Sequence, residues 1–244
     1  MQGPSHLIIS WFAAEAAGVV SARDRRIVAL SGLAPDVDVL ANVGAILYFG
    51  MDRELAFERV WQVVHHRYTH GLGFVLLTAV VAFIFAGRGT RRGESAFRRA
   101  AGVAVLSMMA SIVHIFCDVV GGGPTWPVYP LWPVSDAGWA VNWSWALGDW
   151  PNTLILFSCL AGMMFYARAL GYSPLESVND HLDRWFVRVI QQGTSTSPDG
   201  SQDVVARRRA VWTRVLIYLS LLLLILAVLL PLGFRADQLN LPQF

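Results

Sequence analysis

Five of the six histidines and three aspartates fall in four short stretches: Ser5-His6-Leu7, Pro35-Asp36-Val37-Asp38, His65-His66-Arg67-Tyr68-Thr69-His70 and His114-Ile115-Phe116-Cys117-Asp118. Imidazole and carboxylate together make a donor set for first-row divalent metals. Residues four apart share a helix face, so His66 with His70, and His114 with Asp118, are each expected to form a two-point chelate. The candidate ligands are His6, Asp36, Asp38, His65, His66, His70, His114 and Asp118. They exceed the four that one zinc takes, which points to one or two ions. Zinc is the first expectation, and manganese or iron suits the same mixture. Such a site acidifies water and steadies charge on a leaving oxygen, chemistry suited to a phosphoester. Asp38 and Asp118 are the candidate catalytic carboxylates, and Arg67 is a candidate phosphate holder.

The chain that must position these groups is membrane-like. Of its 244 residues, 55% are hydrophobic and only 15% charged, and the mean hydropathy is +0.48. A soluble globular chain carries about 25% charged residues. All 19 basic residues are Arg, and a net charge of +2 does not indicate a nucleic-acid binder. Cys117 and Cys159 lie inside apolar runs, which argues against a disulfide framework and for plain packing. Six apolar segments can be read: Leu7–Val20, Ile27–Phe49, Gly71–Ala86, Ala100–Val120, Leu154–Leu170 and Val215–Phe234. The first and third are short for a bilayer and are expected to borrow flanking residues. The fold class expected is an all-α polytopic bundle of about six spans. Residues 1–170 form its core, 171–212 a cytoplasmic amphipathic helix and linker, and 213–244 a C-terminal transmembrane helix.

Arginine placement orients these segments, because alternate loops hold 15 of the 19. Both termini are then expected outside. Asp36 and Asp38 lie ten and twelve residues beyond Arg26, about 15–18 Å along a helix. His6, His70, His114 and Asp118 sit near the outer ends of their segments, so all four motifs converge on one depth. Ionisable groups inside spans are costly and read as functional. On the cytoplasmic side, Leu182, Phe186, Val189 and Ile190 share a helical face apart from Arg184 and Arg188, the pattern of a helix lying on the inner leaflet. Gly193–Asp203 reads as a linker. His181 is expected at the surface, and Glu15 as a partner for an Arg or His. Six tryptophans between Trp126 and Trp150 suit either an interfacial belt or a lid over the metal pocket.

At these residues the sequence resembles the bacterial inner-membrane metal-dependent hydrolase family whose founding member is under LexA control. The family's opening Gly/Ser-His-Leu-Leu is matched by Ser5-His6-Leu7-Ile8, and its Leu-x-Pro-Asp-Ile-Asp by Leu33-Ala34-Pro35-Asp36-Val37-Asp38. Its Ser-His-x-x-x-Asp, Gly and Trp-Pro elements correspond to His114 through Asp118, Gly121–Gly123 and Trp132-Pro133. The third motif departs. Anchored on Thr69-His70, the family's first His falls on His65, whereas helical spacing favours His66, and the two stay open as alternatives. A subgroup with His-His-x-x-Thr-His is closer, and its later part resembles Trp150-Pro151-Asn152 and Gly171 through Glu176. The motifs cover residues 5–135, with weaker similarity to about 190, and leave the final span unmatched. The resemblance implies a helical metal site distantly similar to zinc-dependent phospholipase C and single-strand nucleases.

Residues and resemblance together lead to the expectation of a membrane-bound hydrolase of the bacterial inner membrane, with the bilayer and a lipid or lipid-linked substrate as partners and no nucleic acid. The alternative is a transporter or proton relay using the same His/Asp cluster. It needs polar groups spread from face to face, whereas these gather on one side. A third reading is a metal that only braces the bundle.

Overall fold

A computed structural model describes residues 1–61, 64–88 and 94–191 of the chain. The linker 193–203, the final apolar segment 215–234 and six of the arginines used for orientation (Arg91, Arg92, Arg207, Arg208, Arg209, Arg214) lie outside the described residues. The described part is helical: α1 (Gly3–Ala16), α2 (Ala22–Leu33), a 3₁₀ turn (Ala34–Asp38), α3 (Val39–Tyr48), the short α4 (Arg53–Ala56) with a π turn (Phe57–Trp61), α5 (Leu72–Gly87), α6 (Glu94–Gly121), α7 (Trp150–Leu170), a 3₁₀ turn (Pro174–Ser177) and α8 (Asp180–Gln191). Among these residues the one β-type pairing is an isolated bridge between Val128 and Trp139.

Three stretches are long and apolar enough to cross a membrane: Ala22–Tyr48, Glu94–Gly121 and Trp150–Leu170. The expectation of six spans is met by these three alone among the described residues. The first and third segments gain little from their flanks, since α1 has 14 residues and α5 has 16, short of the roughly 17 a span needs. Local sequence stops them. Pro4 sits in the first turn of α1, where its missing N–H costs nothing, and Gly18 (φ +79°) reverses the chain after its end. Gly71 holds an extended backbone just before α5.

The helices alternate in direction, which puts the starts of α1, α5 and α7 and the ends of α2 and α6 at one end of the bundle. The acid and imidazole motifs are at that end. At the other end Arg23 donates to the carbonyls of Phe85 and Arg88, Arg99 holds Asp24 in a two-pronged pair (2.7 and 3.0 Å), and Arg26 pairs with Asp180. Packed toward that end is a core of small and branched residues, Ala14, Val28, Ala86, Ala100, Val103 and Ala110. A second core cluster, built on Trp11, Leu7, Ile8, Ala29 and Ile155, joins α1 to α2 and α7. The outer faces carry exposed apolar side chains, such as Leu76, Val80 and Ile84 on α5 and Val105, Met109 and Phe116 on α6. An apolar exterior over a partly polar interior is the arrangement of a helix bundle surrounded by lipid.

Arg25 is the fastener of the arginine end. Buried on α2, it makes paired bonds to Glu176 (2.6 and 3.0 Å), lies 3.5 Å from Glu15 and donates to the carbonyls of Val19 and Val20. Trp11 Nε1 donates to the same Glu176 oxygen at 2.8 Å, and Tyr172 donates to Glu15. Glu15 thus has the arginine partner that the sequence left undecided. A buried pair held by this many bonds is costly to break from one side. Arg25→Met is expected to lower stability by about 3–5 kcal/mol, read as loss of thermal stability of the detergent-purified protein, while Arg98→Met, at an exposed pair with Glu94, changes it little.

Candidate metal centre

The site is assembled where α2 passes into the 3₁₀ turn. Pro35 suits the first turn of that helix. Three residues per turn set side chains two apart at about 120° to one another. Asp36 and Asp38 consequently face different partners. Asp36 Oδ1 lies 3.5 Å from His114 Nε2. Asp38 accepts from His65 Nδ1 at 2.9 and 3.0 Å and from the Thr69 hydroxyl at 2.8 Å.

His114 and Asp118 form the pair expected from their spacing on α6, with Nε2 to Oδ2 at 2.9 Å. His70 joins them: its Nε2 is 3.2 Å from His114 Nε2 and 3.3 Å from Asp118 Oδ2. One ligand atom each from Asp36, His70, His114 and Asp118 falls within 4.8 Å of all the others. All but Asp36 are buried.

The outward bonds of the two imidazoles fix what they offer inward. His114 Nδ1 meets the Gly32 carbonyl at 2.6 Å, and a carbonyl only accepts, so that nitrogen carries a proton. The Thr69 hydroxyl gives its proton to Asp38 and receives one from His70 Nδ1 at 3.1 Å. In the neutral rings both Nε2 atoms are then lone pairs, aimed at each other and at two carboxylates. Such a convergence needs positive charge between its members. A proton serves one contact at a time, whereas a divalent cation serves all four. Donors about 2.0–2.2 Å from a common tetrahedral centre are about 3.3–3.5 Å apart; the contacts of His114 and Asp118 within the group are 2.9–3.5 Å, and the four atoms together lie within 4.8 Å.

A second group, His65, His66 and His70, adjoins the first through His70. The helical chelate expected of His66 and His70 does not form. Residues 65–70 are a chain of turns, and His66 has a left-handed backbone (φ +66°). The turn brings both His65 and His66 to His70, so the alternatives of spacing and alignment are both placed in the group. His66 Nδ1 is buried with no hydrogen-bond partner. Burial, and then the neighbouring His70 and His65, push this imidazole down to about 2, which keeps the ring neutral and its lone pair available.

The remaining expected residues are placed around these groups. His6 stacks on His114 with ring centroids 3.6 Å apart, and its Nε2 is 3.3 Å from Asp118 Oδ1. The Met1 amino group also pairs with that oxygen. Asp38 stands outside both groups and orients His65 and, through Thr69, His70. Arg67 turns away to Asp136 (2.6 Å) and lies over the Tyr129 ring, both on the exposed side. Cys117 is a free, half-buried cysteine that is a member of neither group, and His181 is exposed, as expected.

Thr69, Trp61 and Asn152 were not singled out as contributors from the sequence, whereas Trp126 belongs to the segment expected to be a belt or a lid. Thr69 bridges Asp38 and His70. Trp61 stacks on His65 (4.0 Å between centroids), and Trp126 lies 4.6 Å from His66. The tryptophan-rich segment is bonded down over the turn, with Tyr129 N to His66 O at 2.9 Å and Leu72 N to Pro130 O at 2.9 Å. Asn152, fully buried, ties Gly121, Ala146 and Leu147 together through their carbonyls. The signals were present but unspecific: a hydroxyl next to His70, and aromatic residues of the kind any membrane interface carries.

Gly32 links the site to the packing of α1. A Cβ there would meet Ser10 Oγ at 1.8 Å and Ser10 Cβ at 2.5 Å, contacts no side chain tolerates. Gly32→Ala is expected to push α1 off α2, move the carbonyl that orients His114 and cost about 1–3 kcal/mol. Thermal unfolding of the purified protein checks this. Gly44→Ala, which meets nothing within 4 Å, is the neutral control.

A family model described as "YdjM inner membrane protein" matches residues 1–233, so the chain belongs to that family. The match runs past residue 190 into the final apolar segment, which the motif resemblance left unmatched. No curated protein and no solved structure matches the chain.

Proposed function

We propose that this member of the YdjM inner membrane protein family is a membrane-bound metal-dependent hydrolase. Its substrate is a phosphoester of a lipid or a lipid-linked molecule, met at the outer face of the bacterial inner membrane. The observation that supports this most is the inward convergence of His70 Nε2, His114 Nε2 and the carboxylates of Asp36 and Asp118. Orientation rests on the arginines gathered at the opposite end, since cytoplasmic loops carry the excess of basic residues.

Asp36, His70, His114 and Asp118 would hold one ion, and His65 and His66 with His70 offer a neighbouring position for a second. A bound divalent ion supplies Lewis acidity toward water and toward a phosphoryl oxygen. The protein does the rest. Asp38, through the Thr69 hydroxyl, keeps the proton of His70 on Nδ1 and leaves Nε2 as donor. The Gly32 carbonyl does the same for His114. Trp61 and Trp126 cover the histidine turn and limit water around it. Arg67 would have to exchange Asp136 for substrate before holding a phosphate, and the exposure of that pair makes the exchange cheap.

A transport pathway finds less support. The described carboxylates and imidazoles of α1, α2, α5 and α6 gather at the two ends, and the buried polar side chains between them are hydroxyls, such as those of Ser31, Thr78, Ser107 and Ser111, rather than titratable groups. A bracing metal predicts that chelation unfolds the protein and that no activity accompanies it.

Metal analysis of detergent-purified protein is the test, combined with a panel of phosphomonoester and phosphodiester substrates including lipid phosphates. Wild type is expected to carry zinc, manganese or iron, with His70→Ala and Asp118→Ala losing metal and hydrolysis together. Thr69→Val is expected to weaken metal affinity about 10–100-fold, as loss of an outer partner does, while Thr69→Ser retains it. Full metal content in both ligand variants would overturn the proposal.

A further inference from the structure

The helix after the last described span has an apolar face that the bundle does not use. The turn through α8 is anchored from within: Asp183 accepts from Ser173 N and Oγ (2.9 and 2.6 Å), and Asn179 caps the helix through the amides of His181 and Leu182. Asp183 and Val187 are buried and Phe186 and Ile190 half-buried, so the inward face is 183, 186, 187 and 190. The face expected from the sequence (Leu182, Phe186, Val189, Ile190) is thus divided. Leu182 (39% exposed), Trp185 (56%) and Val189 (46%) form a separate outward stripe, spaced three and four apart as one helix face requires.

Charge around this stripe is one-sided. The three carboxylates of residues 171–191 are all engaged: Glu176 with Arg25, Asp180 with Arg26 and Asp183 with Ser173. Arg184 and Arg188 meet no carboxylate among the described residues. Arg184 contacts His181, and Arg188 donates to the Arg184 carbonyl. At 100° per residue, His181, Arg188 and Arg184 fall in sequence along the edge of the stripe beyond Trp185. An outward apolar band with a tryptophan and one cationic margin matches a surface that is apolar within and negative at its rim.

We propose that α8 docks on an anionic lipid leaflet at the arginine-rich end of the bundle, inserting Leu182, Trp185 and Val189, with Arg184 and Arg188 on the headgroup phosphates. A headgroup phosphate has the geometry an arginine fork binds, and a leaflet supplies the acyl layer the stripe needs.

The experiment uses the full chain in nanodiscs, with an environment-sensitive fluorophore on Leu182→Cys in a Cys117→Ala, Cys159→Ala background. Discs of phosphatidylcholine alone are compared with discs containing phosphatidylglycerol, with brominated acyl chains as quencher. The label is expected to be blue-shifted and quenched in the anionic discs and less so in the zwitterionic ones. Arg184→Gln and Arg188→Gln should each reduce the docked population about fivefold in anionic discs without changing the unfolding temperature in detergent. A label in water in both discs overturns the proposal. So does a label equally buried in both discs and in detergent, which would mean that another part of the chain or a second copy covers the stripe.

Discussion

The structure turns on one electrostatic requirement: lone pairs brought together inside an apolar bundle must share a positive charge. Four groups from the 3₁₀ turn, the turn before α5 and the end of α6 bring one ligand atom each within 4.8 Å of one another. In hydrocarbon surroundings each alone would be a liability of several kcal/mol. Their joint placement is geometrically able to hold a cation that would offset that cost. The outer bonds, from Gly32, Thr69 and Asp38, are what prevent the imidazoles from resolving the conflict by turning away. The geometry is therefore held from outside the donor set rather than by it.

The opposite end of the molecule uses the same physics with the charges already paired. Arg25, Glu176, Glu15, Trp11 and Tyr172 satisfy one another, and nothing in that network asks for a ligand. The contrast separates two kinds of buried polarity. A closed network of donors and acceptors fixes the packing of α1, α2 and the turn after α7. A convergence of acceptors, as at the other end, is an arrangement that a cation could satisfy.

Much of this was legible in the sequence, and the remainder was lost for identifiable reasons. Membrane character followed from composition, and the collection of Arg23, Arg25, Arg26, Arg88, Arg98 and Arg99 at one end followed from their alternation between loops. His114 and Asp118 were readable because their helix is regular. His66 and His70 do come together as expected, but not as a helical pair, because a left-handed residue at position 66 breaks the helix that spacing assumes. Asp38 was read as a ligand because nothing in Pro-Asp-Val-Asp says that the helix there is 3₁₀, and this is what sends the two carboxylates different ways. Arg67 was read as a phosphate group's partner, but Asp136, 69 residues later, is a neighbour that no local pattern reveals. The apolar face of α8 is the one its sequence pattern gives, and what the pattern cannot tell is that the bundle half-buries Phe186 and Ile190 while Leu182 and Val189 stay exposed.

The backbone bond from Tyr129 to His66 has a mechanical consequence. It ties the segment after Trp126 to the histidine turn, so a displacement of one is transmitted to the other. Any motion that uncovers His65 and His66 also drags them relative to His114 and Asp118. Access to this cluster and its internal spacing are therefore coupled.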